Sequence, residues 1–80
     1  MDRFVAMEAF ARVVERGGFS AAAQELRMSR AMVSRHVQHL EQHLGARLLH
    51  RTTRRVSLTE AGQVYYERST QLLAELAAVE

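Results

Sequence analysis

Residues 20–45, SAAAQELRMSRAMVSRHVQHLEQHLG, carry the clearest structural pattern in the chain. Three alanines after Ser20 favour a short helix, and Ser29 is placed to cap a second helix that ends at Gly45. The inward face of the second helix is marked by apolar residues at helical spacing, namely Val33, Val37, Leu40 and Leu44. The pattern predicts two helices joined by a tight connection at Arg27-Met28, with Ser20 as the N-cap of the first.

A further helix is predicted before this stretch. It would begin after Asp2 as its N-cap and stop at Gly17-Gly18. Its core-facing stripe is expected to consist of Phe4, Met7, Phe10, Ala11 and Val14. Since the chain contains no proline, the strongest helix breaker, helical structure can extend through most of it.

The segment 48–58, LLHRTTRRVSL, has a different texture. Thr and Val favour strands, and Val56 and Leu58 alternate with the polar Ser57. The polar middle of the segment suits a hairpin tip that carries Arg54 and Arg55. The segment therefore predicts a two-stranded wing.

The last helix is predicted to begin after Thr59, with Glu60 at its positive end. Its apolar residues recur at near-heptad spacing up to the terminus, and they are Ala61, Tyr65, Leu72, Leu76 and Val79. A domain this small cannot cover such a seam by itself, so we expect all of them except Ala61 to hold a homodimer. Because no Gly or Pro stops this helix, we expect the chain to be the first part of a longer protein.

Together these elements predict a mainly α fold with one core. It is a winged helix-turn-helix of three helices plus a two-stranded wing at residues 1–58, followed by a long linker and dimerisation helix at residues 59–80. The sequence has no cysteine, no apolar stretch of about 18 residues and no signal peptide, because Asp2, Arg3 and Glu8 interrupt its start. We therefore expect a cytoplasmic protein with no membrane partner, no thiolate metal site and no cofactor.

Charge is concentrated in the middle of the chain. The net charge is +2, but residues 27–55 carry seven arginines against Glu41 alone, a local charge of +6. Residues 1–26 and 56–80 are acidic, at −1 and −3. Such a basic block indicates a polyanionic partner, although a solvated basic surface would give the same count.

The outward face of the second helix of the corner follows from 100° per residue. It is small and polar, and it holds Ala31, Arg35, Gln38 and Gln42, with Ser34 and Arg30 on one flank. A helix that enters the major groove needs short residues for close approach and an arginine fork for guanine O6 and N7. The helix N-termini at Ser20 and Ser29, and the wing residues Arg51 and Arg55, are expected to meet phosphates.

Three further functions can be considered from the sequence: a histidine site, a ligand pocket and an enzyme active site. His36, His39 and His43 share one flank of a helix, which suits a transition-metal site, a pH sensor or a plain solvated surface. Tyr65-Tyr66 could line a ligand pocket, but a packing seam explains them as well. An enzyme is not expected, because the sequence has no phosphate loop, no cysteine nucleophile and no carboxylate pair in an apolar setting.

An ordered series of motifs resembles the LysR-type transcriptional regulators over nearly the whole chain. The matching residues are Ala22-Ala23, Leu26, Ser29, Val33-Ser34-Arg35, Leu40-Glu41, Leu44-Gly45, Arg47-Leu48-Leu49, Arg51 and Leu58-Thr59-Glu60-Ala61-Gly62, and 51–59 resembles one large subgroup. The resemblance implies a winged helix-turn-helix, a dimerising linker helix, and a further domain, absent from this chain, that senses a small effector.

The resemblance also implies roles for individual residues. It places Arg30, Ala31, Ser34 and Arg35 at base-reading positions and Arg54 in the minor groove. Gln38, which helical geometry puts on the same outward face, is also expected to read bases. The expected phosphate contacts are Ser20, Ser29, Arg51, Thr52, Thr53 and Arg55. Many family members have Gln and Pro where this chain has Arg30 and Ala31, so the bases read at these two positions can differ. Leu49 replaces a common Phe, which we interpret as a tolerated change in the core.

The function expected from all of this is sequence-specific binding of double-stranded DNA to control transcription. The partners would be a palindromic operator, a second copy of the chain, and a small effector through the further domain, with a tetramer as an option for the full-length protein. A protein-interaction scaffold is the alternative from another class, and non-specific architectural or RNA binding is a third. The basic middle segment lacks the wedge residues and stacking aromatics that the third would need.

Overall fold

The computed structural model describes residues 1–51 and 55–80. Within these residues the chain forms four helices and a two-stranded antiparallel sheet, so the predicted mainly helical fold with a wing is confirmed. The elements in chain order are α1 (Arg3–Arg16), α2 (Phe19–Leu26), α3 (Arg30–Leu44), β1 (Leu49–Arg51), β2 (Val56–Leu58) and α4 (Glu60–Val79). In this described part of the chain, no helix is both long and apolar enough to cross a membrane.

The first helix, α1, begins and ends as predicted, and its buried face matches the predicted stripe at Phe10 and Ala11 but not at Phe4. Asp2 Oδ1 accepts a hydrogen bond from the Phe4 N–H at 3.0 Å, and Gly17 ends the helix in left-handed backbone at φ 78°. Phe4, expected in the core, is 52% exposed. The buried residues of α1 are the bulky Phe10 and four smaller residues, Ala6, Ala9, Ala11 and Val13. The alanines allow α1 to pack closely against α2 and α3, and the Phe10 ring fills the core between the helices and Tyr65.

The start of α2 differs from the prediction by one residue. Ser20 is not the N-cap, because the helix begins at Phe19 and Gly18 precedes it without a side-chain cap. Phe19 is only 8% exposed, so burial of its ring in the core fixes where the helix starts. At the other end, Arg27 adopts left-handed backbone at φ 56° and makes the predicted tight connection to α3.

Helix α3 places the predicted apolar stripe in the core except at its end. Ser29 caps the helix as predicted, because its Oγ accepts a hydrogen bond from the Met32 N–H at 3.0 Å. The buried members of the stripe are Val33, Val37 and Leu40. Leu44, expected with them, is 41% exposed, while Glu41 is 7% exposed. The chain that folds back after Gly45 brings backbone N–H groups to this side of α3, and a carboxylate there satisfies them.

The wing and the start of α4 are tied together at Leu48. The strands pair in the register Leu49 to Leu58, His50 to Ser57 and Arg51 to Val56. Thr59 caps α4 as predicted, since its Oγ1 accepts a hydrogen bond from the Gly62 N–H at 2.9 Å. The Thr59 N–H donates to the Leu48 carbonyl at 3.0 Å. A Cβ on Gly62 would collide with that same carbonyl, so the close approach of α4 requires glycine at this position.

The two halves of α4 have different surroundings. In the first half, the Tyr65 ring meets Phe10 edge-on with ring centroids 5.6 Å apart, and Ser69 is 2% exposed. Burial raises the pKa of the Tyr65 phenol above its ordinary value, against a smaller opposing effect of Ser69. In the second half, the apolar residues Leu72, Leu76 and Val79 are exposed. The predicted seam is therefore packed inside the chain at Tyr65 and open beyond Ser69.

Candidate nucleic-acid interface

The face of α3 opposite its buried stripe is polar and open to solvent. Four of the residues predicted to read bases are exposed there, namely Arg30, Ala31, Arg35 and Gln38. Ser34 is half-buried beside them, because it faces the wing. Alanine and serine at the N-terminal end of this face leave room for the helix backbone to approach a base edge. The structure thus brings the five predicted α3 residues to one side of one helix.

Arg12 and Arg16 of α1 and the arginines on the exposed face of α3 differ in whether they form ion pairs. Arg12 and Arg16 are neutralised by acids on α1 and α2, with Nε atoms 3.2 Å and 2.6 Å from the carboxylate of Glu25. The hydrogen bond and charge of Glu25 raise the pKa of Arg16. By contrast, Arg30 and Arg35 form no ion pair with any residue of 1–51 or 55–80. The positive charge on α3 is therefore available to an external polyanion.

A groove of about 480 Å³ separates α3 from the wing. Its lining residues are Phe19, Arg30, Ala31, Ser34, Arg51 and Val56. Three of these were predicted to read bases and Arg51 to hold a phosphate. The groove therefore joins the N-terminal half of α3 to the first strand of the wing in one continuous surface.

Arg51 is turned inward across this groove. Its guanidinium carbon lies 4.8 Å above the centre of the Phe19 ring, and its Nη1 donates a hydrogen bond to Ser34 Oγ at 3.4 Å. Its Nη2 lies 3.8 Å from Glu41 Oε1. The Nε and Nη2 atoms are buried and have no hydrogen-bond partner among the described residues. With two of its nitrogens enclosed, Arg51 can offer a phosphate little more than one edge of its fork, so its predicted phosphate contact stays a prediction.

Glu41 is the functional residue that sequence reasoning overlooked. Its Oε2 accepts hydrogen bonds from the backbone N–H groups of Leu48 at 2.8 Å and Leu49 at 3.3 Å, while Oε1 faces Arg51. Glu41 therefore holds the backbone at the start of β1 and is also the ionic partner of Arg51. The available signal was its position, since the lone acid of residues 27–55 lies directly after Leu40 on the border of the inward stripe.

The remaining predicted contacts are exposed or undescribed. Ser20 is exposed in the first turn of α2, and Ser29 uses its Oγ to cap α3. Arg55 is exposed directly before β2. Thr52, Thr53 and Arg54 lie outside the described residues. His36 is half-buried while His39 and His43 are exposed, and no cluster of metal-ligating side chains occurs among residues 1–51 and 55–80.

A helix-turn-helix corner beside a two-stranded wing, with an unpaired basic face on its second helix, defines the class of winged helix-turn-helix DNA-binding domains. Residues 4–63 match the family described as bacterial regulatory helix-turn-helix protein, lysR family. The chain therefore belongs to the LysR family of DNA-binding transcription regulators, as the motifs indicated.

Individual relatives agree with this assignment. An HTH-type transcriptional regulator of Xanthomonas campestris pv. campestris is 56% identical over 71 residues, which cover 89% of this chain and 21% of the relative. The regulator CrgA of Neisseria meningitidis serogroup B is 52% identical over 71 residues, 89% of this chain and 24% of CrgA. The BenM DNA-binding domain in complex with catB site 1 DNA superposes with a TM-score of 0.92 at 33% identity, covering 99% of this chain and 88% of that one. The chain thus spans less than a quarter of the length of these two curated relatives.

Proposed function

We propose that this chain binds a specific, palindromic DNA duplex as a symmetric homodimer. Helix α3 of each copy lies in the major groove of one half-site, and the wing reaches the adjacent minor groove through Arg54. Arg30, Ala31, Ser34, Arg35 and Gln38 contact bases, and the helix N-termini and wing residues named above contact phosphates. In the whole regulator, a small effector bound by another domain controls this binding and so controls transcription.

The observation that carries the proposal is the unpaired arginine face of α3. Three acids on α1 and α2 neutralise nearby arginines, yet Arg30 and Arg35 remain without a carboxylate partner in the described part of the chain. A basic helix face of this kind gains most from phosphates and guanine edges. The BenM relative, which shares the fold, has been solved with DNA, and this supports the same class of ligand here.

A homodimer is supported by the exposed second half of α4. Leu72 and Leu76 are 42% and 40% exposed although they continue the seam that is packed at Tyr65. A groove of about 360 Å³ beside Leu72 is lined by Phe4 and Met7 of α1, which adds apolar area to the same side. Two copies related by a two-fold axis would bury these residues against each other and present two α3 helices to successive half-sites.

The test is selection of bound duplexes from a random pool by the 80-residue chain. The proposal predicts enrichment of a palindromic motif with two half-sites about one helical turn apart or a multiple of it. Enrichment of no motif would overturn it and would favour a scaffold for protein partners. Enrichment of an unpaired single half-site would contradict the dimer while leaving sequence-specific binding intact.

A further inference from the structure

Ser34 has an unusual position among the residues proposed to read bases. It is the half-buried member of the set, and its hydroxyl touches the guanidinium of a wing residue, with 3.4 Å between Arg51 Nη1 and Ser34 Oγ. Arginine carries five N–H donors and no acceptor. In this contact Ser34 Oγ must therefore accept, and its own proton is left for another partner.

Arg51 is held in this position from several sides. The Phe19 ring lies below the guanidinium at 4.8 Å, and Glu41 Oε1 lies behind it at 3.8 Å. The Glu41 side chain is itself held in place, because its Oε2 accepts hydrogen bonds from the Leu48 and Leu49 N–H groups. Phe19 and Glu41 thus fix the position of the Arg51 guanidinium relative to the Ser34 hydroxyl.

The free proton of Ser34 has no acceptor within the described residues, since no hydrogen bond donated by its hydroxyl is found in residues 1–51 and 55–80. We propose that Arg51 is a positioning residue that holds the Ser34 hydroxyl as a hydrogen-bond donor toward DNA. This inference rests on the proposed function, in which Ser34 faces a base edge.

The consequence is a rule for one base position. In the major groove, guanine offers acceptors at N7 and O6, adenine at N7 and thymine at O4, whereas cytosine offers the N4 amino donor. Arg51 occupies one of the two lone pairs of Ser34 Oγ, and its positive charge beside the hydroxyl repels a second N–H donor and favours an acceptor for the hydroxyl proton. Ser34 therefore disfavours cytosine at the base it contacts, by roughly twofold to tenfold, the range of one net hydrogen bond.

The experiment compares base preferences after selection from a random duplex pool. Ser34→Ala identifies the half-site position that Ser34 reads, because the exclusion of cytosine is lost there. Arg51→Met keeps a long apolar side chain over Phe19 but removes every donor, and it should lose the cytosine exclusion at that same position. The double variant should lose no more than Ser34→Ala alone, because both changes remove one coupled interaction.

A second variant and a control keep the result decisive. Arg51→Lys preserves the charge opposite Glu41 but lacks a fork that can span Glu41 and Ser34 together, so a smaller loss at the same position is expected. This variant decides the matter if circular dichroism shows that Arg51→Met is unfolded. Arg55→Ala changes another wing residue proposed to contact phosphate, and it should weaken binding to all duplexes alike and leave the cytosine exclusion unchanged.

The outcomes separate the inference from the proposed function. If the wild-type chain enriches no motif, the proposed function is overturned and the inference with it. If a motif is enriched but both Arg51 variants keep the cytosine exclusion that Ser34→Ala loses, Arg51 does not position Ser34 and the inference alone is overturned. The same holds if Ser34→Ala changes no base preference.

Discussion

Two regions of this domain reverse the ordinary hydrophobic pattern, and they do so in opposite directions. The polar seat, which we define as Glu41, Arg51 and the Leu48 backbone, takes charge into the interior. The apolar patch, defined as Phe4, Leu72 and Leu76, leaves large apolar side chains in solvent. The Glu41 carboxylate finds its hydrogen-bond partners within the chain and ties the wing to α3, whereas Arg51 Nε and Nη2 have no hydrogen-bond partner among the described residues. The apolar patch finds no such cover among the described residues, and we interpret it as the place for a second copy.

The largest effect should come from emptying the apolar patch. Leu72→Ala and Leu76→Ala should each lower the free energy of dimerisation by about 2 kcal/mol per substituted position, counting both copies. The double variant should therefore lose about 4 kcal/mol, which weakens dimerisation roughly a thousandfold. Sedimentation velocity at micromolar concentration should then show a monomer. The thermal stability of that monomer should change little, because both side chains are about 40% exposed in the single chain.

Val64→Ala is the matched control for the apolar patch. Val64 is an apolar residue of the same helix at 60% exposure, and it lies about a quarter turn from the leucine face. Its truncation should leave the dimer intact. A double leucine variant that still sediments as a dimer would show that the apolar patch is not the interface.

The next largest effect, a loss of folding stability, should come from Gly62, where α4 contacts the Leu48 backbone of the polar seat. Gly62→Ala places a methyl group against the Leu48 carbonyl, and neither backbone can yield without moving the helix or the wing. We expect a loss of about 3 kcal/mol in the free energy of unfolding, measured by urea denaturation. Gly18→Ala is the control, because a Cβ there meets nothing within 4 Å and its φ of 177° suits any residue. Equal stability of the two variants would contradict the close approach.

A smaller effect is expected from Glu41→Gln. The amide oxygen can still accept both backbone hydrogen bonds, but the variant loses the negative charge opposite Arg51 and the strength of a charged acceptor. The free energy of unfolding should fall by about 1 kcal/mol. Gln42→Ala, at the exposed neighbouring position, should stay within about 0.5 kcal/mol of wild type. An unchanged Glu41→Gln variant would mean that the buried carboxylate contributes no net stability.

The sequence predicts best those features that depend on neighbours along the chain. The caps Asp2, Ser29 and Thr59 bond to N–H groups two or three residues later, so local residue type is sufficient to find them. The wing is also predictable, because alternation and hairpin composition are local properties. Ser20 failed as a cap because burial of Phe19, a tertiary effect, decides where α2 begins.

The features that sequence reasoning missed depend on distant partners. Helical periodicity gives the rotation of a side chain but not what lies opposite, and this is why Phe4 and Leu44 were wrongly expected in the core. Glu41 is buried because the backbone of residues 48 and 49 returns beside it, and no local pattern shows that return. The position of Arg51 over Phe19, 32 residues earlier in the sequence, is of the same kind.

Arg35→Ala is the decisive variant for the proposal that the outward face of α3 reads bases. Equilibrium binding should be measured for the enriched duplex and for its single-base variants at fixed salt, because phosphate contacts depend on ionic strength. We expect Arg35→Ala to lose about 1–3 kcal/mol of discrimination at one base pair of each half-site and little elsewhere. An equal loss of affinity for every duplex would contradict it, because Arg35 would then contact phosphate and the face would not read sequence at that position.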